Sequence, residues 1–277
     1  MERPLFADLS AALGLFFIWS LAQILFLVLD IPPVAATAQV LLVGLLFAAR
    51  YVLPAGDPAQ IERRVRSRVR PLGAQWPWTI VSALALALLL TTVVGLYTRF
   101  IPPAEVPNAA LDAYLKLPYG GLPLFAGVVI VDPLVDEVIF RGWVQSRLTR
   151  AFGPETAIIN AAALFAIANL DPWRVPPLFL LGLAGGYSVY LTRSIWSAVL
   201  IHLAFKAAWY AADSYWPDFD LATGPFGDAR GLAMGIGLIV IAAAVTAVAF
   251  HRQRILRDAE SERRAADAAS AGPDVAD

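Results

Sequence analysis

Hydrophobic residues along this chain come in long blocks, and short polar or Pro/Gly-rich breaks separate them. Several blocks approach or exceed about 18 apolar residues, the length that crosses a hydrocarbon core as a helix. The pattern predicts eight helical spans, over residues 8–29, 34–53, 77–97, 121–147, 154–171, 175–192, 194–212 and 231–250. Breaks such as Ile31-Pro32-Pro33, Arg70-Pro71-Leu72-Gly73 and Asp171-Pro172-Trp173-Arg174 end one block before the next begins. The expected fold class is therefore an all-α, polytopic integral membrane protein. The first block is too long for the apolar region of a secretory signal, so it reads as a retained span. No repeat of matching halves is visible, which disfavours a secondary transporter.

Composition agrees. Of 277 residues, 59% are hydrophobic and only 16% charged, against about a quarter charged in soluble domains. The absence of cysteine excludes disulfides, thiolate catalysis and cysteine-based metal sites. The net charge of −1 hides a strong segregation along the chain. With the N-terminus inside, 15 basic residues fall on the cytosolic side: Arg3, Arg50, five arginines from Arg63 to Arg70, Arg147, Arg150, Arg193 and five from Arg252 onward. The other side holds four: Arg99, Lys116, Arg174 and Arg230. That asymmetry puts both termini in the cytosol. The basic run over 63–70 reads as a segment touching anionic membrane lipid rather than nucleic acid. Residues 260–277 form a polar, Ala-rich tail with the composition of a disordered end. The Ala- and Arg-rich make-up points to a bacterial cytoplasmic membrane.

The informative residues are the charges inside spans, each of which costs about 2.5–3.5 kcal/mol at a helix centre on insertion scales. They are concentrated. The fourth span carries Asp132, Asp136, Glu137 and Arg141, the fifth Asn160 and Asn169, and the seventh His202 and Lys206. Glu137 and Arg141 are four apart and can pair on one helix face. Asp132, just before Pro133, reads as the N-cap of a broken or kinked half-span. Asp136 lacks a cation four residues on, which makes it the better candidate for chemistry. Three carboxyls face two cations, so at neutral pH either a carboxyl holds a proton or His202 is charged. Gly182 and Gly186 form a small-xxx-small pair suited to close helix packing.

Taken together these residues resemble the CAAX-protease and bacteriocin-processing (CPBP) family of intramembrane endopeptidases. The family's first motif, two acids, three residues and Arg-Gly, is matched by Asp136-Glu137-Val138-Ile139-Phe140-Arg141-Gly142. Its second, phenylalanine, three residues and histidine, is matched by Phe165 but ends on Asn169. A glycine-bearing helix comes next, and the last motif keeps His202 but ends on Lys206 instead of asparagine or aspartate. The similarity runs from about 121 to 210, within a core (121–212) that lies between N-terminal membrane helices with a basic cytosolic loop (1–120) and an acidic external loop with the last span (213–250). A cytosolic polar tail (251–277) closes the chain.

The resemblance implies a water activated by carboxylate and histidine, an oxyanion held by an amide, and a lipidated or membrane-anchored protein or peptide as substrate or partner. Carried over, the catalytic positions are Asp136, Glu137, Asn169, His202 and Lys206, with Arg141, Phe165, Gly182 and Gly186 as positioning residues. Asp136 is one methylene shorter than the family's glutamate, and a misplacement of about 1 Å can cost on the order of a hundredfold. Asn169 cannot cycle a proton, a role worth about 10²–10⁴-fold. Lys206 could hold an oxyanion, act as a base when desolvated, or pair with an acid. Two readings stay open: a divergent protease, and a catalytically degenerate member that binds or escorts a membrane partner. No metal or other cofactor is expected, because Arg141 and Lys206 oppose a cation near His202 and the acids.

Overall fold

The computed structural model describes residues 9–10, 12–14, 16–18, 68, 70–101, 126–169, 172–215 and 228–270. Within them the chain is all-α. The span expected over 34–53 lies outside the described residues, as do most of the span over 8–29, most of the basic run and most of the acidic loop. A one-turn 3₁₀ segment, Gly73–Gln75, leads into α1 (Trp76–Phe100). A continuous helical rod then runs from a π-helical stretch, Ala126–Val131, through α2 (Asp132–Glu137) and a second π-helical stretch, Val138–Gln145, into α3 (Ser146–Phe152). After it come α4 (Pro154–Ala168), α5 (Val175–Thr192), α6 (Ile195–Tyr215) and α7 (Ala229–Ser270).

Among the described residues, three helical stretches are long and apolar enough to cross a membrane: Gly73–Thr98, Val175–Thr192 and Ala229–Asp267. Pro154–Ala168 and Ile195–Ala211 are shorter apolar helices. This is consistent with a polytopic membrane protein. Proline sets several starts, because its missing N–H costs nothing in a first turn: Pro77 in α1, Pro154 in α4, Pro176 and Pro177 in α5. The buried hydroxyls of α1 turn back onto their own helix, Thr79 to the Gln75 carbonyl (2.9 Å) and Thr92 to that of Leu88 (2.7 Å). A hydroxyl satisfied within its own helix is compatible with an apolar surround.

Two expectations are corrected. Asp132 does not cap a broken helix. The N-cap of α2 is Val131, its backbone is itself helical, and no side chain caps it. The rod widens around Pro133 instead of breaking. Proline removes one i→i−4 bond and crowds the carbonyl four residues back, and a wider i→i+5 turn accommodates both. The second correction concerns the polar tail. The last helix does not stop at residue 250 but runs to Ser270, 42 residues in all. At 1.5 Å per residue that is about 63 Å, roughly twice a hydrocarbon core. Alanine-rich sequence and the i,i+4 pairs Arg254–Asp258 and Glu260–Arg264 support the extension. Docking supports it too. Gln253 donates to Thr79 (3.2 Å), Arg252 lies over the Trp78 ring, and Tyr187 packs edge-on against Phe250. Residues 271–277 lie outside the described residues.

The chain reverses sharply at Gly153, whose φ of 83° only glycine adopts without strain, and α4 then returns along the rod. α4 and α5 approach closely. A β-carbon on Gly182 would come within 2.9 Å of the Ala162 backbone, and one on Gly186 within 3.1 Å of Ile158. These contacts draw α5 onto the charged rod, and α6 packs on α1, α5 and α2.

Candidate active site

The site grows from one carboxylate. Glu137, at the end of α2, accepts from Arg141 Nε at Oε2 and from His202 Nδ1 at Oε1, each at 3.0 Å. The three side chains are 2%, 0% and 1% exposed, so water does not weaken the contacts. The Glu137–Arg141 pair is local, four residues apart on the rod. The histidine is tertiary, carried in from α6 across 65 positions. An ionised carboxylate only accepts, so the contact assigns the Nδ1 proton to His202 and leaves its Nε2 with the lone pair. Nε2 is buried and has no hydrogen-bond partner among the described residues.

Aromatic rings wall this arrangement. Phe165 of α4 meets the His202 ring edge-to-face at 5.7 Å, and the Arg141 guanidinium lies 5.7 Å from the centre of the same ring. Phe140 stacks edge-on behind Phe165 at 5.3 Å, and Phe16, from the N-terminal segment, behind Phe140 at 4.9 Å. On the opposite side sit the glycines of α5. A β-carbon on Gly182 would lie 3.3 Å from Arg141 Nη2, and one on Gly185 3.7 Å from both Glu137 Oε2 and Arg141 Nε. Gln145, a turn beyond Arg141, ties the rod to α5 by donating to the Gly186 carbonyl (3.0 Å).

The structure thus brings together Glu137, Arg141, Phe165, Gly182 and His202, with Gly186 one layer further along the rod. It does not join the remaining candidates to them. Asp136 is buried, with Asp132, Lys206, Glu137 and Arg141 as charged neighbours, yet it makes no hydrogen bond or ion pair among the described residues. Asn169 is the C-cap of α4, and its amide nitrogen donates to the Phe165 carbonyl (2.8 Å) of its own helix. No hydrogen bond links it to Glu137 or His202. Lys206 is half-buried, one turn beyond His202, and forms no ion pair with Asp136 or Glu137. Among the described residues no three His, Asp or Glu side chains are grouped as metal ligands would be.

Sequence reasoning passed over four contributors. Gly185 is the glycine nearest Glu137, and the run Gly182-Leu183-Ala184-Gly185-Gly186 offered it as readily as its neighbours. Gln145 was legible as a polar residue one helical turn from Arg141. Phe140 and Phe16 left no signal in a sequence so rich in apolar residues.

A buried Glu–Arg–His arrangement lies inside an apolar all-α bundle that is consistent with a polytopic membrane protein. Residues 118–208 match the family described as type II CAAX prenyl endopeptidase Rce1-like, and this stretch, about a third of the chain, is a CPBP family domain. The match takes in the rod from Ala126, all of α4 and α5, and α6 past Lys206. No curated protein and no solved structure matches the chain.

Proposed function

We propose that this protein is a divergent intramembrane endopeptidase whose general base is His202, held and oriented by Glu137. One observation carries the reading: His202 Nε2 is buried and unpartnered among the described residues, while Nδ1 is bonded to a carboxylate that Arg141 itself holds. A carboxylate behind an imidazole sets its tautomer and stabilises the imidazolium that forms when Nε2 takes a proton. In the hydrolysis, Nε2 removes a proton from water as the water oxygen attacks the peptide carbonyl carbon. The same proton then passes to the leaving nitrogen as the C–N bond breaks. Arg141 keeps Glu137 charged and in register and does not touch the reacting atoms. Lys206, half-buried and without an ion pair to either acid, is the cation available to the oxyanion. A membrane-anchored or lipidated protein segment suits a base at this depth. The excess of arginine at one end of the spans supports a cytosolic location for both termini, in a bacterial cytoplasmic membrane.

A second reading has its own observation. Asn169 turns its donor back into α4, and Asp136 makes no bond to His202. A protein that binds a membrane partner in the same bundle without cutting it has no need of either. Comparing new protein N-termini in membrane fractions from wild-type, deletion and His202→Ala strains separates the two. Termini lost in both altered strains identify a protease and its substrate. Identical termini in all three, with the variant protein present at normal level, favour the binding reading.

A further inference from the structure

The turn between α5 and α6 brings three arginines, Arg68, Arg70 and Arg193, together. Arg193, the C-cap of α5, has a left-handed backbone (φ 55°), a conformation that a non-glycine residue adopts at a cost. Arg68 lies against the turn with the same φ of 55°, and its carbonyl accepts from Ile195 N (3.0 Å). Arg70 donates through Nε to the Arg193 carbonyl (2.7 Å) and through Nη2 to that of Thr192 (3.2 Å). Arg193 Nη2 donates to Ser261 Oγ of α7 (3.1 Å). Arg150, at the end of α3, acts on Arg68 electrostatically and has a partner of its own. The carboxylate facing Arg70 is Glu260, which already pairs with Arg264. Arg68 is only part-exposed, yet its guanidinium has no hydrogen bond or ion pair among the described residues. Burial, and then the charges of Arg150, Arg70 and Arg193, pull the Arg68 guanidinium below its ordinary value.

We propose that Arg68 and Arg193 form a binding site for a phosphate-bearing anion, with Arg70 as the brace that holds the turn in place. Folding has brought like charges together and, for Arg68, left the fork of donors unused. A phosphate satisfies both conditions, since guanidinium donors match its oxygens two at a time. The location admits two sources. These residues stand at the end of the bundle where α5 leaves its apolar stretch, level with the headgroups if the bundle spans a bilayer. An anionic lipid headgroup and a free phosphate present the same chemistry there. The consequence reaches the centre of the protein, because the turn joins the glycine face against Glu137 to the helix carrying His202.

The test uses the full-length protein in detergent. Thermal unfolding is measured in mixed micelles containing phosphatidylglycerol, in micelles containing phosphatidylcholine, and in phosphatidylcholine micelles with inorganic phosphate. Phosphatidylglycerol retained through purification is counted by native mass spectrometry. Stabilisation by phosphatidylglycerol alone supports the site with a lipid as ligand, and stabilisation by phosphate as well supports it with either source. Stabilisation by neither overturns it, whatever the variants do. Arg68→Gln and Arg193→Gln should each weaken retention about fivefold, the worth of one arginine at a charged surface. Arg263→Gln removes the same charge from exposed α7 and should leave retention unchanged. An equal loss in Arg263→Gln would mean diffuse attraction to a basic end and overturn the site.

Discussion

The two sides of the charged rod, one residue apart in sequence, have opposite fates. Glu137 is bonded to Arg141 and His202 and packed against Gly185, while Asp136 is buried beside charges it does not touch. Neighbouring residues on a helix point about 100° apart, so the two acids meet different parts of α6: Glu137 bonds His202, and Asp136 lies near Lys206 without bonding it. Glu137 has the longer reach and an arginine one turn away. The same division separates the other candidates. Phe165 and His202 are fastened into the group, whereas Asn169 bonds its own helix and Lys206 forms no ion pair with either acid. In an apolar bundle a charge persists where its partners are in place, so the fastened side is where substitution should hurt most.

Breaking the pair gives the largest expected effect. Arg141→Met leaves Glu137 buried with one partner fewer, and removing one member of a buried pair typically costs about 3–5 kcal/mol. Chemical unfolding in micelles measures it, and a loss under about 1 kcal/mol would mean that the pair does not hold the bundle. Next comes His202→Ala. Under the proposed mechanism the yield of cleaved N-termini falls by about 10²–10⁴-fold with the protein still folded. Undiminished cleavage would remove His202 from the mechanism. Gly182→Val drives a side chain into the Ala162 backbone, already 2.9 Å from a single added β-carbon. Overpacking of this kind costs about 1–3 kcal/mol, and a variant as stable as wild type would show that α4 and α5 can part freely. The smallest effect belongs to the loose side. Asn169→Ala loses one local hydrogen bond, about 0.5–1.5 kcal/mol, and should leave cleavage unchanged. If it abolishes cleavage without unfolding the protein, Asn169 belongs with Glu137 and His202 after all.

The starts of α1, α4 and α5 were legible because proline and glycine act locally, through φ and a missing N–H. The Glu137–Arg141 pair was legible for the same reason, as two residues one turn apart. The widened rod was not. The π-helical stretch Val138–Gln145 shifts the residues after it around the axis, so a helical wheel drawn from Asp132 misplaces α3. The long α7 was hidden as well. Its polar half has no apolar stripe to advertise it, and part of its support is docking of Gln253, Arg257 and Ser261 onto Thr79, Tyr190 and Arg193.

Composition and block length alone were enough for an all-α chain with long apolar helices, consistent with a polytopic membrane protein, because crossing lipid demands such helices and little else. Residue order was enough to single out the acids, Arg141 and His202, since charges are rare in such helices and visible when they occur. Which acid receives the histidine, and which candidates stand apart, was decided only by packing. That choice depends on the rotation of the rod and the closeness of α5, and both are set by contacts between residues far apart in the chain.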